Sequence, residues 1–265
     1  MTGSGNDFVM VDARVSNPGD WTPAEMAAVC ARGTGVGADG VVFVGPGSAS
    51  GAVRMIYFNS DGSHAAMCGN AALCSTRLAA RLGFADPRGM RLETDSGTFP
   101  SRAPGELERA ELNLPPATAP ATPQGMSLAT GERQAVLGVV GVPHLVVLVE
   151  NVDQVEVGTR GRALRFDPSL GPPGANVNFI SPGAAAGEWR MRTYERGVEG
   201  ETLACGTGAV TAACALIGWE LGRSPIRVLT RSGRVLDVSV RPNGSQFDDV
   251  WLGGEARLVF RGVLA

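Results

Sequence analysis

The stretch RLETDSG at residues 91–97 returns as RVLTRSG at residues 227–233, with Arg, Thr, Ser and Gly repeated in place. The spacing is 136 residues, and other landmarks keep it. GNDFVMVD (5–12) falls on GVPHLVVL (141–148), Asn59 falls on Glu195, and Cys68 meets Cys205 after a slip of one residue. Self-similarity at a constant offset marks an internal repeat, so the chain reads as two copies of one domain plan. A length of 265 residues suits two domains of ordinary size.

Local patterning supplies the elements of each copy. FVMVD, DGVVFVG, VRMIYFN, HLVVLVEN, IRVLT and VLDVSVR are short apolar runs rich in Val and Ile and bounded by Gly, Asn or Pro, which predicts strands. Residues 70–83 and 208–222 are rich in Ala and Leu and end near glycine, which predicts one long helix per copy. Strands around a central helix, twice over, is an α+β arrangement. PPATAPATPQG (115–125), without charge and rich in Pro, Thr and Ala, reads as the linker. The domains expected are therefore 1–116, carrying Cys68, and 117–265, carrying Cys205. A second Pro/Gly segment, 168–174, reads as a surface loop.

Composition narrows the chemistry. No lysine occurs anywhere, so all 23 basic residues are arginine. A Schiff-base lysine for pyridoxal phosphate and a Gly-Lys phosphate loop are both closed. The net charge is only -3 with arginines scattered, which gives no footprint for nucleic acid or an anionic membrane. There is no bilayer-length apolar run and no signal-peptide pattern, so a cytoplasmic protein with a small-molecule substrate is expected. Five spread cysteines without a C-x-x-C pair argue against both a disulfide scaffold and a structural metal, and no metal is expected.

Cys68 and Cys205 stand apart from the other three. Each enters a predicted helix through a glycine, as C-G-N-A-A and C-G-T-G-A. Unpaired N–H groups and the positive end of the helix dipole favour a thiolate there, and the same N–H groups can grip a carboxylate. If the two copies face each other across a cleft, two thiols flank one bound carbon. One then removes an α-proton while the other returns a proton to the opposite face, which inverts a stereocentre. Cys30, Cys74 and Cys214 are expected in the core, as free cysteines usually are.

The segments GSGNDFVMVD (3–12), GVGADG (35–40), FNSDGSHAAMCGN (58–70), GANVNF (174–179) and YERGVEGETLACGTGA (194–209) together resemble diaminopimelate epimerase. The resemblance implies a cofactor-independent isomerase that interconverts LL- and meso-diaminopimelate in lysine and peptidoglycan precursor synthesis. It implies two similar domains, each a barrel-like sheet around a central helix, with the active site in the interdomain cleft. Carried over by position, Cys68 and Cys205 match the catalytic cysteines, and Gly69, Asn70, Gly206 and Thr207 match the carboxylate cradle. Asn6, Asn59, Asn176, Glu195 and Arg196 match the residues that hold the rest of the substrate, and His144 matches a histidine near the site. Taken alone, the asparagines would be turn residues, Glu195-Arg196 a solvated pair and His144 a core histidine.

Three departures bear on this reading. Where the family has G-N-P-H this chain has GVPH, so Val142 removes an amide from the distal end of the site. Ala71 and Leu73 replace a glycine and an arginine after the first cysteine. The chain also opens at Met1 where the family has a preceding strand, which leaves either a shifted start or a first sheet without an edge strand. The competing readings are a proline- or hydroxyproline-type racemase of the same fold, a non-catalytic amino-acid-binding module, and thiol redox chemistry. Glu195-Arg196 with Asn59 and Asn176 suits a second zwitterionic head group that proline lacks, whereas Val142 leans the other way. Cys74 lies more than a helical turn beyond Cys68 and is poorly placed to resolve a disulfide. The sequence is compatible with a homodimer.

Overall fold

The computed structural model describes residues 1–105 and 108–264; residues 106, 107 and 265 of the expected domains lie outside them. The chain divides into two compact units, the first formed by residues 1–113 with 253–265 and the second by 114–252. The first unit carries β1 (Thr2–Gly3), β2 (Asn6–Asp12), α1 (Pro23–Cys30), β3 (Gly40–Pro46), β4 (Ala52–Asn59), β5 (His64–Ala65), α2 (Gly69–Leu82), β6 (Met90–Thr94), β7 (Gly97–Arg102) and β8 (Arg109–Leu114), which runs up to the boundary. The second carries β9 (Ala117–Thr118), β10 (Glu132–Val140), β11 (Val142–Val149), α3 (Arg162–Arg165), β12 (Asn176–Pro182), β13 (Glu188–Glu195), β14 (Gly200–Thr202), α4 (Gly206–Gly218), β15 (Ile226–Leu229), β16 (Val235–Asn243) and β17 (Gln246–Glu255).

The repeat is visible in the strand register. Parallel β2 and β3 pair Phe8 with Gly40, and parallel β11 and β12 pair His144 with Asn176, each residue displaced by 136. Antiparallel β3 and β4 pair Val41 with Phe58, and β12 and β13 pair Val177 with Tyr194. Parallel β4 and β6 pair Ala52 with Arg91, and β13 and β15 pair Glu188 with Arg227, again at 136. The one-residue slip at the cysteines is also located. Phe58 pairs with His64 in the first unit, but Tyr194 pairs with Glu201 in the second, so the extra residue lies in the turn between β13 and β14. Both units are α+β.

The sequence assigned 253–265 to the second domain, and here the structure differs. Thr2 N donates to Arg257 O (2.8 Å), Arg257 N donates to Thr2 O (2.9 Å), and Ala256 N donates to Glu108 O (2.8 Å). These long-range backbone bonds carry the end of β17 and the segment after it into the first unit. The expected linker is also partly structured, since β9 pairs with Gln246 and Phe247 of β17.

Each unit holds one long helix among its strands. In α2 the residues from Asn70 to Ala79 are all buried, and in α4 those from Gly208 to Leu216. A helix covered on every side needs small side chains so that strands can approach all round, which Ala, Gly, Ser, Thr and Cys supply. Its polar members must be satisfied locally: Ser75 and Thr76 donate to Ala71 O (2.8 Å) and Ala72 O (2.9 Å), and Thr211 to Thr207 O (3.0 Å). The parallel pairs β2/β3 and β11/β12 require a crossover. It contains α1 in the first unit, and a π-helical turn (Val157–Gly161) leading into α3 in the second. α1 packs Met26 and Cys30 against Val41 and Phe43, while Val157 and Leu164 pack with Val177 and Phe179. β3 and β12 are therefore buried on both faces, which accounts for their unbroken apolar runs. No described helix is long and apolar enough to cross a membrane, which says nothing of strands.

Candidate active site

The two cysteines occupy the same structural position in their units. Cys68 is the extended N-cap of α2 (φ -142°, ψ 121°) and Cys205 that of α4 (φ -133°, ψ 109°). Cys68 O accepts from Ala72 N and Cys205 O from Ala209 N, so the first turn of each helix starts from the cysteine. Neither side chain makes a cap hydrogen bond to its helix. Gly69 and Gly206 supply the next N–H groups in each case, without a Cβ over them. Cys68 is half-buried and Cys205 is 8% exposed.

In the first unit, Asn6 and Asn70 come together. Asn70 Nδ2 donates to Asn6 Oδ1 (2.7 Å), and Asn6 Nδ2 donates to Asp39 Oδ2 (2.9 Å). Arg32 bonds both oxygens of Asp7 (2.7 and 2.9 Å) and Asp39 Oδ1 (2.9 Å). Its guanidinium holds Asp7 below the usual carboxylate range. Because a carboxylate only accepts, Asp39 fixes which way the Asn6 amide faces, and Asn6 in turn fixes Asn70. Asn70 Oδ1 is left buried with no hydrogen-bond partner among the described residues. Asn59 sits apart at the end of β4, donating to Ser63 Oγ (3.0 Å). His64 is exposed and bonds Asp95 (2.8 Å).

In the second unit, His144, Thr207 and Cys205 come together. His144 Nε2 lies 3.0 Å from Thr207 Oγ1, and Thr207 Oγ1 lies 3.7 Å from Cys205 Sγ. His144 is fully buried, and burial, reinforced by the Arg196 charge, pushes its imidazole down to about 3. Asn176 Oδ1 accepts from Arg196 N (2.7 Å), tying the start of β12 to the residue after β13. Glu195 ends β13 at the position equivalent to Asn59; burial raises its carboxyl above the usual range, partly offset by Thr202. Val142 occupies the place equivalent to Asn6, so the second unit has no amide where the first begins its chain.

Three residues the sequence did not single out support these groups. Asp39 holds Asn6, while Asn178 and Thr193 stand behind His144: Asn178 Nδ2 lies 3.3 Å from His144 Nδ1, and Thr193 Oγ1 donates to Asn178 Oδ1 (3.0 Å). Asn178 had a signal, being a polar residue inside an apolar strand two places from Asn176 and hence on the same face. Cys30, Cys74 and Cys214 are buried, and desolvation pushes the last two up to about 12. Among the described residues, no group of three or more His, Cys, Asp or Glu could hold a metal ion.

Comparison with solved structures defines the fold class. A phenazine biosynthesis protein of the PhzF family from Bacillus anthracis matches with a TM-score of 0.68 at 17% identity, over 96% of this chain and 92% of that one. A probable proline racemase from Agrobacterium radiobacter K84, solved with bound carbonate, matches with a TM-score of 0.61 at 17% identity, over 86% and 77%. The fold is thus one that PhzF-type and racemase-type proteins share. Among sequence relatives, the diaminopimelate epimerase of Gemmatimonas aurantiaca is 45% identical over 100% of this chain and 98% of its own length. That of Aquifex aeolicus is 39% identical over 100% and 96%. The family model described as diaminopimelate epimerase matches residues 1–108 and 137–259. The chain belongs to the diaminopimelate epimerase family, whose members are isomerases.

Proposed function

We propose that this chain interconverts LL- and meso-diaminopimelate without a cofactor, using Cys68 and Cys205 as a thiolate/thiol pair on opposite faces of one α-carbon. The observation that carries the reading is the matched placement of the two thiols, each the N-cap of the central helix of its unit. In this mechanism one thiolate takes the α-proton as the other thiol delivers its own to the opposite face; the charges exchange, and the reverse reaction uses the same groups. The carboxylate on the reacting carbon gains negative charge in the transition state. Backbone N–H groups at Gly69-Asn70 and Gly206-Thr207 suit that charge, because they need no reorganisation. Asn6, Asn59, Asn176, Glu195 and Arg196 would hold the distal amino-acid head, a carboxylate and a guanidinium being suited to a zwitterion. The absence of lysine agrees with chemistry that needs no Schiff base, and five spread cysteines with no C-x-x-C motif agree with a reducing, cytoplasmic setting.

The test is proton NMR of the reduced protein with LL-diaminopimelate in deuterium oxide. Loss of the α-proton signal with growth of the meso isomer is expected, and Cys68→Ala and Cys205→Ala are each expected to abolish it. Substantial activity in either variant would refute the two-thiol mechanism. Val142 favours one second reading, a racemase acting on a substrate with a single head group; exchange with proline but not with diaminopimelate would establish it instead.

A further inference from the structure

The hydrogen bonds behind Cys205 run in one direction, and one atom sets it. Leu145 O is a carbonyl and can only accept, so the Asn178 side-chain atom 3.2 Å from it is the amide nitrogen. Asn178 Oδ1 therefore faces Thr193, whose hydroxyl donates to it at 3.0 Å. The second hydrogen on Asn178 Nδ2 points to His144 Nδ1 at 3.3 Å, which must offer a lone pair. A neutral imidazole carries one N–H, which then lies on Nε2 and donates to Thr207 Oγ1 at 3.0 Å. Thr207 keeps its own hydrogen for Cys205 Sγ, 3.7 Å away and within hydrogen-bonding range of sulfur. Asn178 and His144 are fully buried and Thr193 is 2% exposed, so water does not compete. The charged imidazolium, which would break the sequence at Nδ1, is disfavoured by the same burial and by Arg196.

Two further features show the arrangement is specific to this unit. Gly208 leaves room for it: a Cβ there would sit 2.3 Å from Asn178 Oδ1. At the positions equivalent to His144, Asn178 and Thr193 the first unit has Phe8, Val42 and Tyr57, which cannot build such a sequence beside Cys68.

We propose that Thr193, Asn178, His144 and Thr207 form a one-way hydrogen-bond relay that locks His144 as the neutral Nε2–H tautomer and directs the Thr207 hydroxyl proton onto Cys205, stabilising its thiolate. His144 is then a donor and not a base for a thiol, and Asn178 and Thr193 are positioning residues. The proposal rests on the reading of Cys205 as an acid–base group, but its test does not depend on turnover.

The chain carries two histidines, so nitrogen-15 labelling of histidine, with His64→Gln for assignment, reads the His144 tautomer directly. A protonated Nε2 with a bare Nδ1 is expected; protonation at Nδ1, or an imidazolium at neutral pH, overturns the proposal. In Asn178→Asp the carboxylate draws the proton to Nδ1, and the bare Nε2 captures the Thr207 hydrogen. Alkylation of Cys205 by iodoacetamide at fixed pH should then slow about tenfold, the equivalent of one pKa unit, while Cys68 in the same sample is unchanged. A changed tautomer with unchanged Cys205 reactivity overturns the relay. Should Asn178→Asp fail to fold, Thr207→Val removes only the last donor and is expected to slow Cys205 alone, and an unaltered rate there overturns it equally.

Discussion

Burial of His144 makes the second unit sensitive to mild acid in a quantity that can be worked out. Its imidazole is held down at about 3 in the folded protein, against an ordinary value of about 6.5 in the unfolded chain. Above the unfolded value both states are neutral and the residue contributes nothing to pH dependence. As pH falls through about 6.5, the unfolded chain binds a proton that the folded chain refuses, so stability is lost. A pH of 5 lies about 1.5 units below the unfolded value, and at about 1.36 kcal/mol per unit the loss is about 2 kcal/mol. It grows towards about 5 kcal/mol as pH approaches about 3. The assay is urea unfolding followed by tryptophan fluorescence, at pH 7 and pH 5, for the wild type and His144→Gln. Three of the four tryptophans, Trp189, Trp219 and Trp251, lie in the second unit, so the signal reports mainly on it. Glutamine can meet both Asn178 and Thr207 but cannot take up a proton. The wild type should lose about 2 kcal/mol more than the variant between the two pH values. Equal losses would refute the reasoning.

Other expectations follow from packing and caps. Gly208→Ala would ordinarily gain up to about 1 kcal/mol of helix propensity, but its Cβ would meet Asn178 Oδ1 at 2.3 Å and Cys205 Sγ at 3.2 Å. Overpacking of about 1–3 kcal/mol should win, lowering the melting temperature and Cys205 reactivity, and an unchanged or raised melting temperature would count against it. Gly83 closes α2 in the left-handed region (φ 70°) with open space around it, so Gly83→Ala should cost about 1 kcal/mol in thermal unfolding and leave catalysis intact. Native alkylation read by mass spectrometry should label Cys68 and Cys205 well ahead of Cys30, Cys74 and Cys214; rapid labelling of Cys74 or Cys214, whose thiols burial raises to about 12, would contradict their placement.

Much of this fold was legible because the repeat and the apolar periodicity are properties of neighbouring residues. The six apolar runs read as strands and the body of both long helices fall where pattern put them, and Gly83 ends α2 as a C-cap glycine should. The second helix was expected to reach Gly222 but stops at Gly218. Glu220 takes the left-handed backbone (φ 60°), a position that reading by glycine does not find, and Leu221 N and Gly222 N fold back onto Leu216 O. Gly69 and Gly206 read as turn residues yet open their helices, since a glycine directly after the N-cap exposes N–H groups rather than ending the run. The groups behind the site were harder to see. Asp39 is 33 residues from Asn6, and Asn178 is 34 from His144; such pairs exist only once strands are in register. The return of residues 253–265 to the first unit was hidden for the same reason, because backbone bonds between distant segments leave no mark in composition.

That return has a consequence for how the molecule is made. Residues 114–252 are, in chain order, an insertion within the first unit. A ribosome delivers the chain from its N-terminus, and compact units complete as their last segment emerges. The second unit, residues 114–252, is complete once residue 252 is clear, whereas the first must wait for residues 253 onward. The unit begun first is finished last, so a nascent chain carries an open sheet for the time it takes to synthesise its partner.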